Sequence, residues 1–430
     1  MPDLISIFKK IFSLKDLRNK LLFSLALILI FRILAHIPIP SVDTAGLSSY
    51  FQNNQILGLL DLFSGGSVSR FSIAMLGVGP YITSSIIMQL LQVSIPALEE
   101  LSKEGEYGKQ KINQYTRYLS MPLSIIESYG LIKVLQSQDV LGQIATNEMI
   151  LIIVIATAGT TFLMWLGELI SENGIGNGVS ILISVGIIAG IPSQVASTAQ
   201  ILEGQYLLAA EMILAAIAMV AFIVYINEAE RRVKISYARR IRAGRTIGTI
   251  DSYLPIRTNT AGVIPITFAT SFLVFPGILA QFLQTSSIES LRSFANTLNM
   301  LISNEYIYGI VFFILVFAFT FFYTSIIFQP NQMAENLQKQ GGFIPGIRPG
   351  NQTAMYLSGI IYKITFLGAL FLAIIAVFPF VLQNITGIRT LAIGGTGILI
   401  IVSVTLDFVR QIKAQLAMRS YDDAYGYNQL

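Results

Sequence analysis

A chain of 430 residues with 53% hydrophobic and only 12% charged side chains cannot cover a water-exposed surface, because a soluble domain carries about 25% charge. The lack of cysteine excludes disulfides, thiol catalysis and cysteine-bound metals, and the single histidine, His36, argues against a histidine-rich metal centre. The net charge of +4 is small, and its distribution says more than its size.

The apolar residues fall in blocks near the roughly 20 residues that cross a bilayer as a helix. They lack the period-two alternation of barrel strands, the other solution that satisfies the backbone in hydrocarbon. The expectation is an all-α membrane protein with about ten transmembrane helices, at 21–37, 72–93, 115–135, 149–168, 178–199, 207–226, 261–282, 306–328, 356–380 and 390–408. The first span follows Lys9, Lys10, Lys15, Arg18 and Lys20, a basic stretch like the start of a signal peptide. Pro38 and Pro40 follow it and no small-x-small cleavage site does, so it reads as a retained anchor.

An even number of spans puts both ends on one side. Loops on that side carry 23 of the 28 Lys and Arg residues; Arg32, Arg70, Lys133, Arg292 and Arg389 remain for the other. Positive charge marks the cytoplasmic face, so both termini are expected there. Arg32, His36, Lys133, Glu168, Glu211, Lys363 and Asp407 fall toward span ends, and no ionisable residue is assigned to mid-membrane. That weighs against an ion-coupled pump, which needs such charges inside.

In chain order, Phe63-Ser64-Gly65-Gly66-Ser67-Val68-Ser69-Arg70 precedes the second span and is too short and polar to cross. It fits either an external loop or a re-entrant segment buried in protein. Gly77-Val78-Gly79-Pro80 opens the second span and Gly262-Val263-Ile264-Pro265 the seventh. Matching interruptions in two five-helix halves point to a pathway between repeats; two unrelated kinks explain them equally well. The loop Glu168–Gly178 is glycine-rich but has neither the lysine nor the preceding strand of a phosphate-binding loop. Loop 227–258 holds eight basic residues against Glu228, Glu230 and Asp251. It suits anionic lipid or nucleic acid, or serves as a topology signal alone. In loop 329–355, Gly341–Gly350 sets Arg348 among turn-forming Gly and Pro, where a guanidinium suits bidentate capture of carboxylate or phosphate.

Seven stretches make the chain similar to the SecY family along nearly its whole length. They are FRILAHIPIP at 31–40, FSGG at 63–66, PYITSSIIMQLL at 80–91, KEGEYGKQKINQYTRY at 103–118, FLMWLGELISENGIGNGVSI at 162–181, AGVIP at 261–265 and GGFIPGIRPGNQTAMYL at 341–357. The resemblance implies a protein-conducting channel of the inner or plasma membrane, without enzymatic activity, cofactor or metal. It passes unfolded polypeptides across and releases membrane segments sideways. It also implies two halves, 1–200 and 201–410, around a pore, with a tail at 411–430. The tail's acidic and polar residues suggest mobility from Ser420 to Leu430.

By motif, the resemblance makes Ser64, Gly65, Gly66, Ser67, Val68, Ser69, Arg70 and Phe71 a plug within about 62–72. The apolar pore ring falls to Val78, Ile82, Ile86, Val179, Ile183, Ile264 and Ile400. Thr267 stands where the family pattern has an apolar residue, leaving Ile264 or Ile266 to replace it. Thr83, Gln89 and Asn259 match polar positions of a lateral gate, and Arg239, Arg240 and Arg348 match contacts to the SecA ATPase or the ribosome. Further implied partners are SecE, SecG, SecDF, YidC, signal-bearing precursors and the lipid bilayer. A secondary transporter of a small solute, also built from inverted repeats, is the alternative; it calls for a polar midplane site.

Overall fold

The computed structural model describes residues 14–40, 47, 58, 61, 64–137, 140–142, 144–201, 205–237, 241–242, 245–246, 251–284, 288–386 and 390–424. Every expected span coincides with a helix. These are α1 (Lys15–Leu34), α2 (Gly79–Ser94), α4 (Glu106–Ser137), α5 (Thr146–Asn173), α6 (Gly178–Ile201), α7 (Tyr206–Glu228), α8 (Ile264–Gln284), α10 (Glu305–Ile327), α12 (Asn351–Thr386) and α13 (Thr390–Ala424). Shorter helices α3 (Pro96–Lys103), α9 (Glu289–Ser303) and α11 (Pro330–Lys339) lie between them. Among the described residues, five helices are long and apolar enough to cross a membrane alone, six if α2 and α3 count as one bent span. The bend is 101°. It falls at Ile95, which Pro96 keeps extended at φ −110°, ψ 112°.

The helices pack as neighbours in sequence and across it: α2 on α4, α4 on α5, α5 on α6, α10 on α12 and α12 on α13, while α6 meets α13 and α8 meets both α2 and α4. One apolar core runs through α1, α2, α5, α6, α7, α8, α10, α12 and α13. Outer faces stay apolar and exposed: Leu29, Leu214, Ile217, Ile310 and Leu367 are examples. Along α7 only Met219, Ile223 and Asn227 are buried, as suits a helix whose outward solvent is lipid.

Two findings depart from the sequence reading. The basic loop 227–258 is not irregular: β1 (Glu230–Tyr237) pairs antiparallel with β4 (Asp251–Arg257), with the short β2 (Ile241–Arg242) and β3 (Arg245–Thr246) between. Alternation in Arg232-Val233-Lys234-Ile235 explains the strand, since Val233 and Ile235 are buried and their neighbours are charged. The other edge of β1 pairs with β5 (Gly342–Phe343), so the order is β4-β1-β5 and loops 227–258 and 329–355 contribute to one sheet. In addition, α13 continues through Ala424, so the tail expected at 411–430 begins as helix; 425–430 lie outside the described residues.

Candidate functional site

The openings of α2 and α8 are alike in detail. Gly77 and Gly262 both take left-handed backbone, at φ +57° and +63°. The next residue, Val78 or Val263, is buried in the common core and starts a helix whose second residue is proline. Left-handed backbone costs an L side chain about 1–2 kcal/mol, which accounts for glycine at both points.

These helices deliver the expected ring to one place. Val78, Ile82, Ile86, Ile183 and Ile400 are buried in a single apolar cluster, with Val179 and Ile264 packed against it. Five of the seven, Ile82, Val179, Ile183, Ile264 and Ile400, also line a cavity of about 370 Å³. The rest of the lining is mostly polar and includes Gln89, Asn113, Arg117, Glu168 and Asn177, with Val263 and Phe268 among it. Arg117 Nε donates to Glu168 Oε1 at 2.7 Å, tying α4 to α5 across that wall. Thr267 lines the cavity too, with its hydroxyl donating to the Ile264 carbonyl at 2.8 Å. Ile266 is wholly buried in the core and does not line it. Of Ile264 and Ile266, Ile264 is therefore the one that lines the cavity, beside Val263 and Phe268.

Residues 64–71 form a compact irregular segment buried in protein. Ser64, Gly65, Ser67, Val68 and Phe71 are buried, while Arg70 is exposed. The segment is held from within by Ser67 Oγ donating to the Ser64 carbonyl at 2.7 Å, and from Asp61, whose carboxylate accepts the Ser69 N–H at 2.8 Å. On the α1 side, Ile39 N–H donates to the Phe71 carbonyl at 2.9 Å and Arg32 Nη1 to the Gly65 carbonyl at 3.2 Å. Phe71, at φ +48° and fully buried, keeps a backbone conformation that is rare for a bulky residue. Gly65 lies so close to α6 that a Cβ there would stand 2.7 Å from the Gly186 Cα. Gly186 is one turn beyond Ile183, so the segment sits directly beside the apolar cluster. Residues 62–63 of the expected plug lie outside the described residues.

The three polar gate residues do not come together. Thr83 and Gln89 sit on α2, where the Thr83 hydroxyl donates to the Gly79 carbonyl at 3.2 Å and Gln89 Nε2 donates to Ser85 Oγ at 3.2 Å. Gln89 faces the cavity, and its Oε1 is buried with no protein partner. Asn259 instead joins a network with α7 and α13. Its Nδ2 donates to Asn227 Oδ1 at 2.7 Å, Asn227 Nδ2 donates to Ser403 Oγ at 3.1 Å, and Asn259 Oδ1 accepts the Gly262 N–H at 3.0 Å. Arg410 extends the network to the Asn227 carbonyl, Glu228 and Asp407. Asn259→Ala leaves the Asn227 and Gly262 groups without partners, at an expected cost of about 1–3 kcal/mol. The midpoint of thermal unfolding in detergent should fall accordingly; an unchanged midpoint would show the network to be incidental.

The sequence reading also missed Glu127. It lies well inside α4, against Gly79 and Thr83 of α2, and its carboxylate interacts with the Thr83 hydroxyl. The expectation that no ionisable group falls at the middle of a span fails here, since Glu127 lies midway along 115–135. A lone glutamate amid Ile125, Ile126 and Tyr129 was the available signal. Arg348 is exposed on its turn, and Thr353 Oγ1 donates to its carbonyl at 2.9 Å. Arg239 and Arg240 lie outside the described residues.

The SecY family profile matches residues 72–409. A curated relative, the protein translocase subunit SecY of Streptomyces galbus, is 40% identical over 97% of this chain and 99% of its own. Two solved structures share the fold at low identity. "The structure of a protein conducting channel" superposes with a TM-score of 0.64 at 20% identity, over 92% of this chain and 91% of that one. "Sec61 in the Canine ribosome-channel complex from the endoplasmic reticulum" gives 0.60 at 19%, again over 92% and 91%. The solute-transporter alternative finds no support among these relatives. With the profile covering most of the chain and the relative nearly all of it, this multi-pass membrane chain belongs to the SecY family of protein translocase subunits.

Proposed function

We propose that the chain is the conducting subunit of a protein translocase in a bacterial plasma membrane, passing unfolded polypeptides across it and releasing membrane segments sideways. One observation carries the reading. Apolar residues from α2, α6, α8 and α13, far apart in sequence, meet in one cluster and line a cavity whose remaining lining is mostly polar. An apolar constriction sheds water and so blocks ions, yet yields to a chain pushed through it. The polar cavity receives the chain in its hydrated state; the ring strips and seals around it. Residues 64–71, beside Ile183 and Gly186, act as the plug on the far side.

The ten helices then form two halves, 1–200 and 201–410, with both termini cytoplasmic, as the distribution of Lys and Arg favours. The side exit is the seam where α8 packs on α2 and α4. Thr83, Gln89 and Glu127 are its polar groups; polar contacts between membrane helices are worth only about 0.6 kcal/mol each, so an arriving hydrophobic segment can displace them. Asn259 steadies the turn into α8. Loops 227–258 and 329–355, joined in one sheet by the pairing of β1 with β5, offer a docking face to SecA or to the ribosome, with Arg239, Arg240 and Arg348 as its contact residues. SecE and SecG complete the complex; SecDF and YidC act on chains as they leave.

The test uses the absence of native cysteine. With Ile400→Cys in inverted vesicles, a precursor carrying one cysteine and stalled during SecA- and ATP-driven export should form a disulfide to position 400. No crosslink there, nor from Ile82→Cys or Ile183→Cys, while export is confirmed, would remove these residues from the path.

A further inference from the structure

Between the spans α8 and α10 stands a helix that is not itself a span. α9 has 15 residues and so measures about 22 Å, short of the roughly 30 Å of hydrocarbon in a bilayer. Its composition divides by face. Leu291, Phe294, Ala295 and Leu298 recur at the spacing of one helical face, while Arg292, Ser293 and Asn296 point the other way. The protein uses only part of the apolar face. Ala295 is buried, and α9 packs on α8 and touches α10. Leu291 stays exposed, Phe294 is 55% exposed, and Ile288, just before the helix, is exposed as well. Met300, also exposed, is the exception that falls on the polar side.

The neighbouring spans fix where this helix stands. α8 starts from the β4 side and α10 leads through α11 to β5, so α9 lies on the face opposite the β4-β1-β5 sheet. Asn304 alone separates α9 from α10. It is extended at φ −79°, ψ 111°, and its Oδ1 accepts the N–H groups of Tyr306 at 3.1 Å and Ile307 at 3.3 Å. Tyr306, Ile310 and Ile314 then form an exposed stripe along α10, apolar below a tyrosine. Exposed tyrosine at the end of a span marks the boundary between headgroups and hydrocarbon. Tyr206, exposed at the start of α7, marks the same face. α9 therefore ends beside the lipid boundary, and its exposed apolar edge continues a surface that already faces lipid.

We propose that α9 is an interfacial docking helix whose partner is the lipid surface itself: Leu291 and Phe294 enter the headgroup–acyl boundary of the leaflet on that face, and Arg292, Ser293 and Asn296 stay in water. The attraction is apolar. From Thr285 through Asn304 the only charged residues are Glu289 and Arg292, one of each sign, so nothing favours anionic over zwitterionic headgroups. A helix seated in this way ties the adjoining ends of α8 and α10 to the plane of the membrane.

The chain has no native cysteine, so a single spin label can be placed on either face. Leu291→Cys and Phe294→Cys sample the apolar edge, Ser293→Cys and Asn296→Cys the polar one. Each labelled chain is purified with cysteine-free partner subunits and placed in phosphatidylcholine vesicles. Collision of the label with oxygen, which concentrates in lipid, is compared with collision with a water-soluble nickel chelate. Labels at 291 and 294 should lie about 5–10 Å into the boundary, and those at 293 and 296 outside it. Replacing part of the phosphatidylcholine with phosphatidylglycerol should leave these depths unchanged. Equal contact with the nickel chelate at all four positions would mean that the helix stands clear of the bilayer. Protection of 291 and 294 from both reagents would mean that a protein chain covers the edge. Either result overturns the proposal, and so does a depth that grows with phosphatidylglycerol, because headgroup charge would then hold the helix.

Discussion

Gly65→Val should leave the resting channel leaky, with ion conductance raised by a factor on the order of thirty. Two independent costs fall on this position. Its φ of +74° is strained for any L residue by about 1–2 kcal/mol, and more for a β-branched one. The new Cβ would also lie 2.7 Å from the Gly186 Cα and 3.3 Å from Arg32 Nη1. The arginine can swing aside, but Gly186 is backbone within α6 and cannot move without carrying Ile183 of the ring with it. A combined penalty of about 2 kcal/mol shifts the seated-to-unseated ratio about thirtyfold. Gly66→Ala is the comparison: its φ is +78° but no atom lies within 4 Å of the added carbon, so it carries the backbone cost alone. Conductance measured for both variants separates strain from collision. If Gly65→Val seals as well as the wild type, the close approach to α6 is not what seats this segment.

Much of the fold was legible because lipid enforces it. A backbone in hydrocarbon must satisfy its own hydrogen bonds, so apolar length alone places helices, and a helix lies at every expected span. The residues proposed for the ring are assigned by their match to family motifs such as PYITSSII and AGVIP, and they meet in one cluster because a helix converts offset into face. What the sequence hid depends on partners distant in the chain. Asn259 looked like a gate residue by its place before AGVIP, yet its amide is bound to Asn227 and Ser403, which no local pattern reveals. Thr267 seemed to break the ring; its hydroxyl is spent on the Ile264 carbonyl, so the cavity wall there stays less polar than the residue type suggests. Glu127 was passed over among apolar neighbours because only the packing of α4 on α2 gives it a counterpart in Thr83. The strand Glu230–Tyr237 was masked by its own charge: Arg and Lys at alternate positions read as a basic loop until their apolar neighbours are seen to face inward.

Ile400→Asn should open the channel to ions without unfolding it. Ile400 is 1% exposed and belongs to the cluster that closes the cavity. An asparagine there brings an amide with two donors and an acceptor into the apolar part of the cavity wall. Leaving it unpaired costs about 1–3 kcal/mol, and that cost is relieved if water enters from the polar side of the cavity. The substitution thus stabilises a wet constriction relative to a dry one, and dryness is what blocks ions. A bias of about 1.4–2.8 kcal/mol corresponds to about a ten- to hundredfold rise in leak. The same bias lowers the barrier that a signal sequence must overcome, so precursors with weakened signals should be exported more efficiently. Two comparisons fix the interpretation. Ile400→Leu keeps volume and polarity, should cost less than about 1.5 kcal/mol and should remain tight. Leu367→Asn places the same amide on an outward face that is 61% exposed; it should impair insertion or stability and leave conductance per folded channel unchanged. Equal leak from Ile400→Asn and Leu367→Asn would mean that general loosening, not hydration at the ring, admits the ions, and the seal would then have to lie with residues 64–71 alone.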